Sequence, residues 1–351
     1  MGLSNAHSGI GQVAQHLYSR LKNTTYRPTV IGNDLATDFG QPLALGPVSN
    51  RFAKYKNLNA DICYSAALHD AAGRKAILHG FANINVPTVL RKIDSFKYFL
   101  TIHDVIPLTD PDKVSKSQAA QFRLGFFRAV AKADRIITVS NWTKQAVAFA
   151  APTAASKIIV IRNGRPNQRE DRTQNIRNTN CEYAAVFVGR FEIYKRFELL
   201  AKIINLAPST WKFCIVTDAV GKAKIESLCG AKLKSDRLLV VNGISDREIA
   251  EIYSKTKCMI STSLLEGFGL PAAEALSYSV PVVWTTGSAI DEFCNDSVGQ
   301  GIAPSEPAST WIEAIAGFQN LKPEAINFRH ILEQMPTWDD AAKELSLLYA
   351  E

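Results

Sequence analysis

The first 166 residues contain no glutamate. They carry 21 Lys and Arg against nine Asp, a net charge of +12, whereas residues 167–351 carry 19 against 24, a net charge of −5. The overall +7 of the 351-residue chain therefore averages two unlike halves. Such asymmetry points the basic half toward an anionic partner: a membrane surface, a nucleic acid or a phosphorylated ligand. Long hydrophobic runs are missing too. None approaches the roughly 18 residues that span a bilayer, and the opening MGLSNAHSG has neither the basic start nor the apolar core of a secretory signal. A cytoplasmic protein is expected. The six cysteines, at 63, 181, 214, 229, 258 and 294, include no C-x-x-C pair and no zinc spacing, so they read as reduced, idle thiols. An apolar fraction of 46% and a charged fraction of 21% exclude a disordered chain, a collagen-like repeat and a disulfide scaffold.

What is present is alternation. RPTVIG, DICYSA, KAILHG, KYFLTI, DRIITVS and KIIVI read as strands, and QVAQHLYSRL, residues 115–133 and WTKQAVAFA as helices. The strands are continuous apolar runs, the signature of a parallel sheet covered on both faces. Residues 163–182 are almost devoid of apolar side chains. The alternation then restarts, with YAAVFVG, WKFCIVT, RLLVVNG, CMISTS and PVVWTT as strands between helical stretches. The fold class expected is α/β: two doubly wound Rossmann-like domains facing a central cleft. The boundaries expected are 1–165 for an N-terminal domain, 166–182 for a linker and 183–335 for a C-terminal domain. The last helix, 336–351, would pack back on the N-terminal domain. Only seven residues precede the early glycine turn SGIG, and none reads as a strand, so the first strand of the N-terminal domain is short or absent.

Three segments carry chemistry. In STSLLEGFGLPAAEAL (261–276) a strand runs into Glu266-Gly267-Phe268-Gly269-Leu270-Pro271 and then into a helix bearing Glu274. Pro271 suits a first helical position, the glycines let backbone approach a ligand, and a helix N-terminus favours a phosphate. In VFVGRFEIYKRFELL (186–200) a strand ends at Gly189-Arg190, and Lys195 opens the next helix. Two cations at the carboxyl end of a sheet can clamp a diphosphate. In FLTIHDVIP (99–107) His103-Asp104 follows an apolar strand. Each has a plainer reading: solvated cations, acids complementing a helix dipole, a structural histidine. Asn163-Gly164 after the KIIVI strand is a turn signal first, as is Asp110-Pro111-Asp112.

Together these segments resemble the retaining GT-B glycosyltransferases of family four, whose E-x7-E string corresponds to Glu266 and Glu274. The family's Gly-Arg…Lys string corresponds to Gly189-Arg190…Lys195, its His-Asp to His103-Asp104, its early glycine loop to Gly9-Ile10-Gly11, and its hinge to Asn163-Gly164. The resemblance is closest over 183–294, looser over 97–164 and faint over 1–96. Tyr278-Ser279 stands where the family has a glycine, and Thr217-Asp218-Ala219 replaces its glycine-rich turn.

The resemblance implies that Arg190 and Lys195 bind the donor diphosphate and stabilise the leaving group. Glu266 would contact the donor sugar, Glu274 the nucleotide ribose, and the amides of Phe268, Gly269 and Leu270 the sugar and phosphate. Gly267 and Gly189 would admit the ligand, and His103 would serve the reacting centre. Gly9, Gly11 and Asn163 would lie along the donor. It also implies a nucleotide-diphosphate sugar as co-substrate, GDP-mannose favoured over UDP-glucose, with no other cofactor and no metal. The acceptor would be a glycan or lipid-linked molecule of cell-surface polysaccharide synthesis. An anionic membrane surface, at the inner face of the cell membrane, would face the basic N-terminal half. Three rivals remain. A glycosidase using Glu266 and Glu274 leaves the cations without a role. A nucleotide-sugar epimerase on the same fold is separated only by its product. A nucleic-acid-binding protein is disfavoured, because the basic residues are dispersed.

Overall fold

The computed structural model describes residues 9–21, 76–81, 83, 95–166, 181–230, 237–321 and 325–351. The expected strands RPTVIG and DICYSA, the question of a missing first strand and most of the expected linker lie outside these residues. The chain divides into two compact units, one of Met1–Gly164 with Thr337–Glu351 and one of Arg165–Pro336. Among the described residues no helix is long and apolar enough to cross a membrane.

In the first unit, four parallel strands lie in chain order: β1 (Ala76–Gly80), β2 (Phe96–Ile102), β3 (Arg135–Thr138) and β4 (Ile158–Val160). The helices are α1 (Gly9–Leu21), the short α2 (Ile106–Thr109), α3 (Lys116–Lys132), α4 (Asn141–Ala150) and the closing α11 (Trp338–Ala350). Helix α3 starts at a capping box, in which the Ser115 hydroxyl accepts from the Gln118 amide and the Gln118 side chain accepts from the Ser115 amide. Its inner face, with Phe122, Phe126, Ala129 and Val130, joins Leu100, Ile102, Ile136 and Val147 in one buried cluster. Helix α11 belongs to this unit by contact: His16 of α1 stacks on Trp338 at 4.6 Å, and Arg20 pairs with Asp339 at 2.7 Å. One expectation changes here. Gly9-Ile10-Gly11 is not a loop; it forms the first turn of α1, with Gly11 buried. Three apolar residues of α1, Val13, Leu17 and Leu21, are buried at the four-residue spacing of one helix face.

The second unit holds β5 (Tyr183–Val188), β6 (Phe213–Val216), β7 (Leu238–Val241), β8 (Thr256–Ser261), β9 (Val282–Thr285) and β10 (Gly299–Ile302). Helices α5 (Phe197–Leu206), α6 (Ala219–Cys229), α7 (Asp246–Ser254), α8 (Leu270–Ser277), α9 (Ala308–Gln319) and α10 (Arg329–Gln334) connect or flank them. All pairings are parallel, in the order β10-β9-β8-β5-β6-β7. The chain starts at the centre, winds out to β7, returns beside its start and winds the other way to β10. This is the doubly wound order, and β5 and β8 flank the point where winding reverses, outside whose carboxyl ends ligands bind. Phe187, Phe197, Phe213, Ile260 and Trp311 are fully or nearly fully buried in the core between sheet and helices. Among the described residues Cys214, Cys229, Cys258 and Cys294 are buried free thiols and Cys181 is half-buried. In the Tyr278-Ser279 pair, Ser279 holds a left-handed backbone at φ 58°, a conformation that disfavours any side chain.

Candidate functional site

Two loops meet at the reversal point. One follows β5 and runs Gly189 to Arg196; the other follows β8 and runs Thr262 to Gly269. They are stitched together. The Leu264 amide donates to the Tyr194 carbonyl at 2.8 Å, and the Thr262 hydroxyl donates to the Lys195 carbonyl at 2.6 Å. Lys195 does not open the following helix, as the sequence suggested; it ends a short 3-10 turn, Ile193–Lys195. From there its amine reaches across to Glu266, 3.0 Å away, with the two side chains only 12% and 16% exposed. A methyl group on Gly189 would lie 3.1 Å from the Lys195 amine and 3.3 Å from its Cδ, so the absence of a side chain lets Lys195 lie over the strand end. Arg190 is exposed beside it. Burial pushes the Glu192 carboxyl up, against the opposing charges of Arg190 and Lys195, and Asp218 raises it further. Two cations and the Glu266 carboxylate are thus held on adjacent strand ends.

Two further residues build this arrangement. Arg196 has a left-handed backbone, φ 52°. Its guanidinium donates to the Thr262 carbonyl at 2.7 Å, the Pro304 carbonyl at 2.9 Å and the Thr285 hydroxyl at 2.5 Å. A planar fork suits three acceptors, two from loops and one from the end of β9. Arg196→Ala is therefore expected to lower the stability of the second unit by roughly 2–4 kcal/mol, read by chemical denaturation, and Arg196→Lys is expected not to restore it. Asp218, in the turn where the family has glycines, caps α6 through the Gly221 amide at 2.9 Å and also accepts from the Phe191 amide at 3.0 Å. The only signal for Arg196 is its place next to Lys195; Asp218 stood out only as part of the turn Thr217-Asp218-Ala219, not as a brace for the first loop.

Beyond Glu266 the chain turns into α8. Gly269 caps the helix in a left-handed conformation, φ 90°. Leu270 is the first helical residue, so Pro271 takes the second position and not the first. Of the first-turn amides, those of Ala272 and Ala273 donate to the Gly269 carbonyl at 3.0 and 3.2 Å, and Pro271 has none, so the amides at the head of the helix are those of the stretch Phe268, Gly269 and Leu270. Phe268 is buried against Phe293, ring centroids 5.4 Å apart, and Gly267 is buried beside it. Glu274 follows one turn on. Burial pushes its carboxyl up to about 7, with the charge of Asp246 adding to the effect.

In the first unit His103 sits just past β2, 7% exposed. Its amide donates to the Asn83 side chain at 2.7 Å, and its Nε2 lies 2.9 Å from the Phe81 carbonyl. A carbonyl only accepts, so Nε2 carries the hydrogen and Nδ1 keeps the lone pair. Burial lowers the ring's pKa to about 4, which leaves it neutral. Nearby His79 is also neutral, its pKa lowered to about 3 by burial and by His103. It bridges Thr101 at 2.8 Å and Tyr349 of α11. Asp104 accepts from the Ile106 amide at 3.1 Å and shapes the turn. Asp110 lies between two short helical turns as the cap of each, and Asp112 lies in the second, paired with Lys113 at 2.9 Å. Asn163 is buried after β4, and Gly9 and Gly11 lie in α1.

Comparison with known proteins follows the same division. Residues 7–169 match the family model for Glycosyltransferase Family 4, and residues 167–331 match that for Glycosyl transferases group 1. The chain belongs to family four of the glycosyltransferases. Its fold is GT-B. This family-four chain is 25% identical over 230 residues to the O-antigen chain mannosyltransferase RfbU of Salmonella typhimurium, covering 65% of this chain and 62% of that one. It is 33% identical over 140 residues to the GDP-mannose:cellobiosyl-diphosphopolyprenol alpha-mannosyltransferase of Komagataeibacter xylinus, covering 37% and 34%. Among solved structures, the sucrose-phosphate synthase of Thermosynechococcus elongatus superposes with a TM-score of 0.69 at 20% identity, over 88% of this chain and 82% of that one. The chain spans 56–62% of the length of the first curated relatives it matches.

Proposed function

We propose that this protein is a retaining, metal-independent hexosyltransferase. It moves a sugar from a nucleotide diphosphate, GDP-mannose in preference to UDP-glucose, to a glycan or lipid-linked acceptor in cell-surface polysaccharide synthesis. The observation that carries the reading is the Lys195–Glu266 pair, 3.0 Å apart and nearly buried where the winding of the second sheet reverses. A hydrolase pairing Glu266 with Glu274 has no use for a lysine spent on one of its two carboxylates. In transfer, Lys195 and Arg190 neutralise the charge that develops on the departing diphosphate, which is the work a metal does elsewhere. Glu266 accepts from donor-sugar hydroxyls. The amides of Phe268, Gly269 and Leu270 and the glycines among them receive phosphate and sugar. Neutral His103, with Nδ1 as acceptor, suits a sugar hydroxyl. The preference for GDP-mannose draws on the names of the mannosyltransferase relatives. The reading places the protein in the cytoplasm, at the inner face of the membrane, with no nucleic acid as partner and no cofactor beyond the co-substrate.

The test is sugar release and transfer over a panel of nucleotide sugars, with the product's anomeric configuration read by NMR and EDTA in a parallel arm. Retained configuration and activity indifferent to EDTA are expected. Free sugar from a simple glycoside would favour the hydrolase, and an altered nucleotide sugar the epimerase.

Glu274 gives this reading a pH signature. Ribose hydroxyls donate to a carboxylate, so binding favours the ionised form. With its pKa raised to about 7, the free protein loses that form as pH falls from 8 to 6. Donor affinity is expected to weaken over this interval, by at most about tenfold per pH unit. Titration calorimetry checks it, and Glu274→Gln is expected to flatten the dependence.

A further inference from the structure

Helix α3 has two apolar faces. One is buried in the first unit's core. The other points outward. Ala120, Leu124, Phe127 and Ala131 recur at spacings of four, three and four, which aligns them in one stripe along the helix. All four are exposed, Leu124 by 63% and Phe127 by 44%. At about 100° per residue, Arg123 lies along one edge of the stripe and Arg128 along the other, with Lys116 near the N-terminal end; all three are exposed. The helix contains no Asp or Glu. Among the described residues, the ion pairs of this unit use Arg20, Lys113 and Arg135 and not Lys116, Arg123 or Arg128.

We propose that this outer face of α3 docks on an anionic lipid surface. Leu124 and Phe127 enter the boundary between headgroups and acyl chains, and Arg123, Arg128 and Lys116 meet lipid phosphates. The 17-residue helix, ~25 Å long, then lies in the plane of the membrane. Charge decides the occupant. A second copy of the chain would bring arginines against arginines, with no carboxylate on the helix to pair them. A bilayer supplies both an apolar layer and phosphates that match the arginine forks. The +12 of the first 166 residues adds attraction over about a Debye length. The inference deepens, and rests on, the reading of a lipid-linked acceptor, since it would hold the enzyme where such an acceptor resides.

The test is co-sedimentation of the full chain, at low salt, with vesicles of phosphatidylglycerol mixed with phosphatidylcholine and with vesicles of phosphatidylcholine alone. Wild type, Leu124→Ser/Phe127→Ser and Arg123→Gln/Arg128→Gln are compared, with nucleotide-sugar binding measured without vesicles. Wild type is expected to bind the anionic vesicles and to leave the neutral ones. Removing two arginines is expected to weaken binding roughly twenty- to thirtyfold, and the apolar double substitution by about tenfold or more. Nucleotide-sugar binding is expected to be unchanged in both. Variants that bind vesicles as wild type does would overturn the assignment to α3. So would a wild-type dimer that Leu124→Ser/Phe127→Ser dissociates, because the stripe would then be a contact between copies. A wild type that binds nucleotide sugar but ignores vesicles overturns the docking and leaves the transferase reading standing. A wild type that binds no nucleotide sugar is the failure of that reading instead.

Discussion

Replacing Lys195 by alanine is expected to reduce kcat/KM for the donor on the order of a hundred- to a thousandfold. A preorganised cation aimed at developing charge contributes that much in a site shielded from water, and Lys195 is 12% exposed. The loss has two origins. The variant no longer neutralises the departing diphosphate, and it leaves Glu266, 16% exposed, without its partner. An unpaired and largely buried carboxylate is unfavourable, so the variant should also unfold more readily. Glu266→Gln separates the two. It keeps the shape and leaves the lysine free for phosphate, so the donor should still bind while turnover falls. Arg190→Ala, at an exposed position, is expected to have a smaller effect, about tenfold. A Lys195→Ala enzyme within threefold of wild type would remove Lys195 from the site.

The second large effect is on stability. Gly269→Ala is expected to destabilise the second unit by roughly 2–5 kcal/mol. The residue holds φ 90°, where a β-carbon adds about 1–2 kcal/mol of strain. The added methyl would also lie 2.5 Å from Cγ1 of Ile290, a residue 1% exposed that cannot move aside; overpacking of this kind costs about 1–3 kcal/mol more. Because the loop from Glu266 to Leu270 ends at this cap, donor binding should weaken in parallel. Thermal unfolding of the variant against Gly287→Ala tests the argument. Gly287 has a φ of 93°, close to that of Gly269, but a β-carbon there meets nothing within 4 Å, so it reports strain without the collision. Equal losses at both positions would show that packing at Ile290 contributes nothing.

The doubly wound architecture of the second unit was legible because each central strand is a continuous apolar run between helices. YAAVFVG, WKFCIVT and CMISTS became β5, β6 and β8. The edge strand β10, GQGI, was not seen. Two glycines in four residues suppress any strand signal, yet Gly299 is required there, since a β-carbon would lie 1.9 Å from the Val282 carbonyl oxygen. The residue types of the candidate site were visible in one dimension, whereas the contacts that arrange them were not. Lys195 and Glu266 are 71 positions apart in sequence, and nothing local announces that they pair. Arg196 looked like one more surface cation, and only the fold brings three acceptors to it. In the first unit, the neutral state of His103 depends on burial and its tautomer on the Phe81 carbonyl, neither of which a motif reveals. The outward stripe of α3 was hidden for the opposite reason: with apolar residues on two faces, the helix has no single clean amphipathic period.

On the reading proposed above, Arg190, Lys195 and Glu266 build a nucleotide-sugar site at the carboxyl ends of β5 and β8. Titration calorimetry of the full chain with GDP-mannose and UDP-glucose, wild type against Arg190→Ala/Lys195→Ala, decides it. Wild type is expected to bind one of the two saturably, and the double variant to lose about a hundredfold or more in affinity. Binding that survives undiminished without both cations would place the site elsewhere.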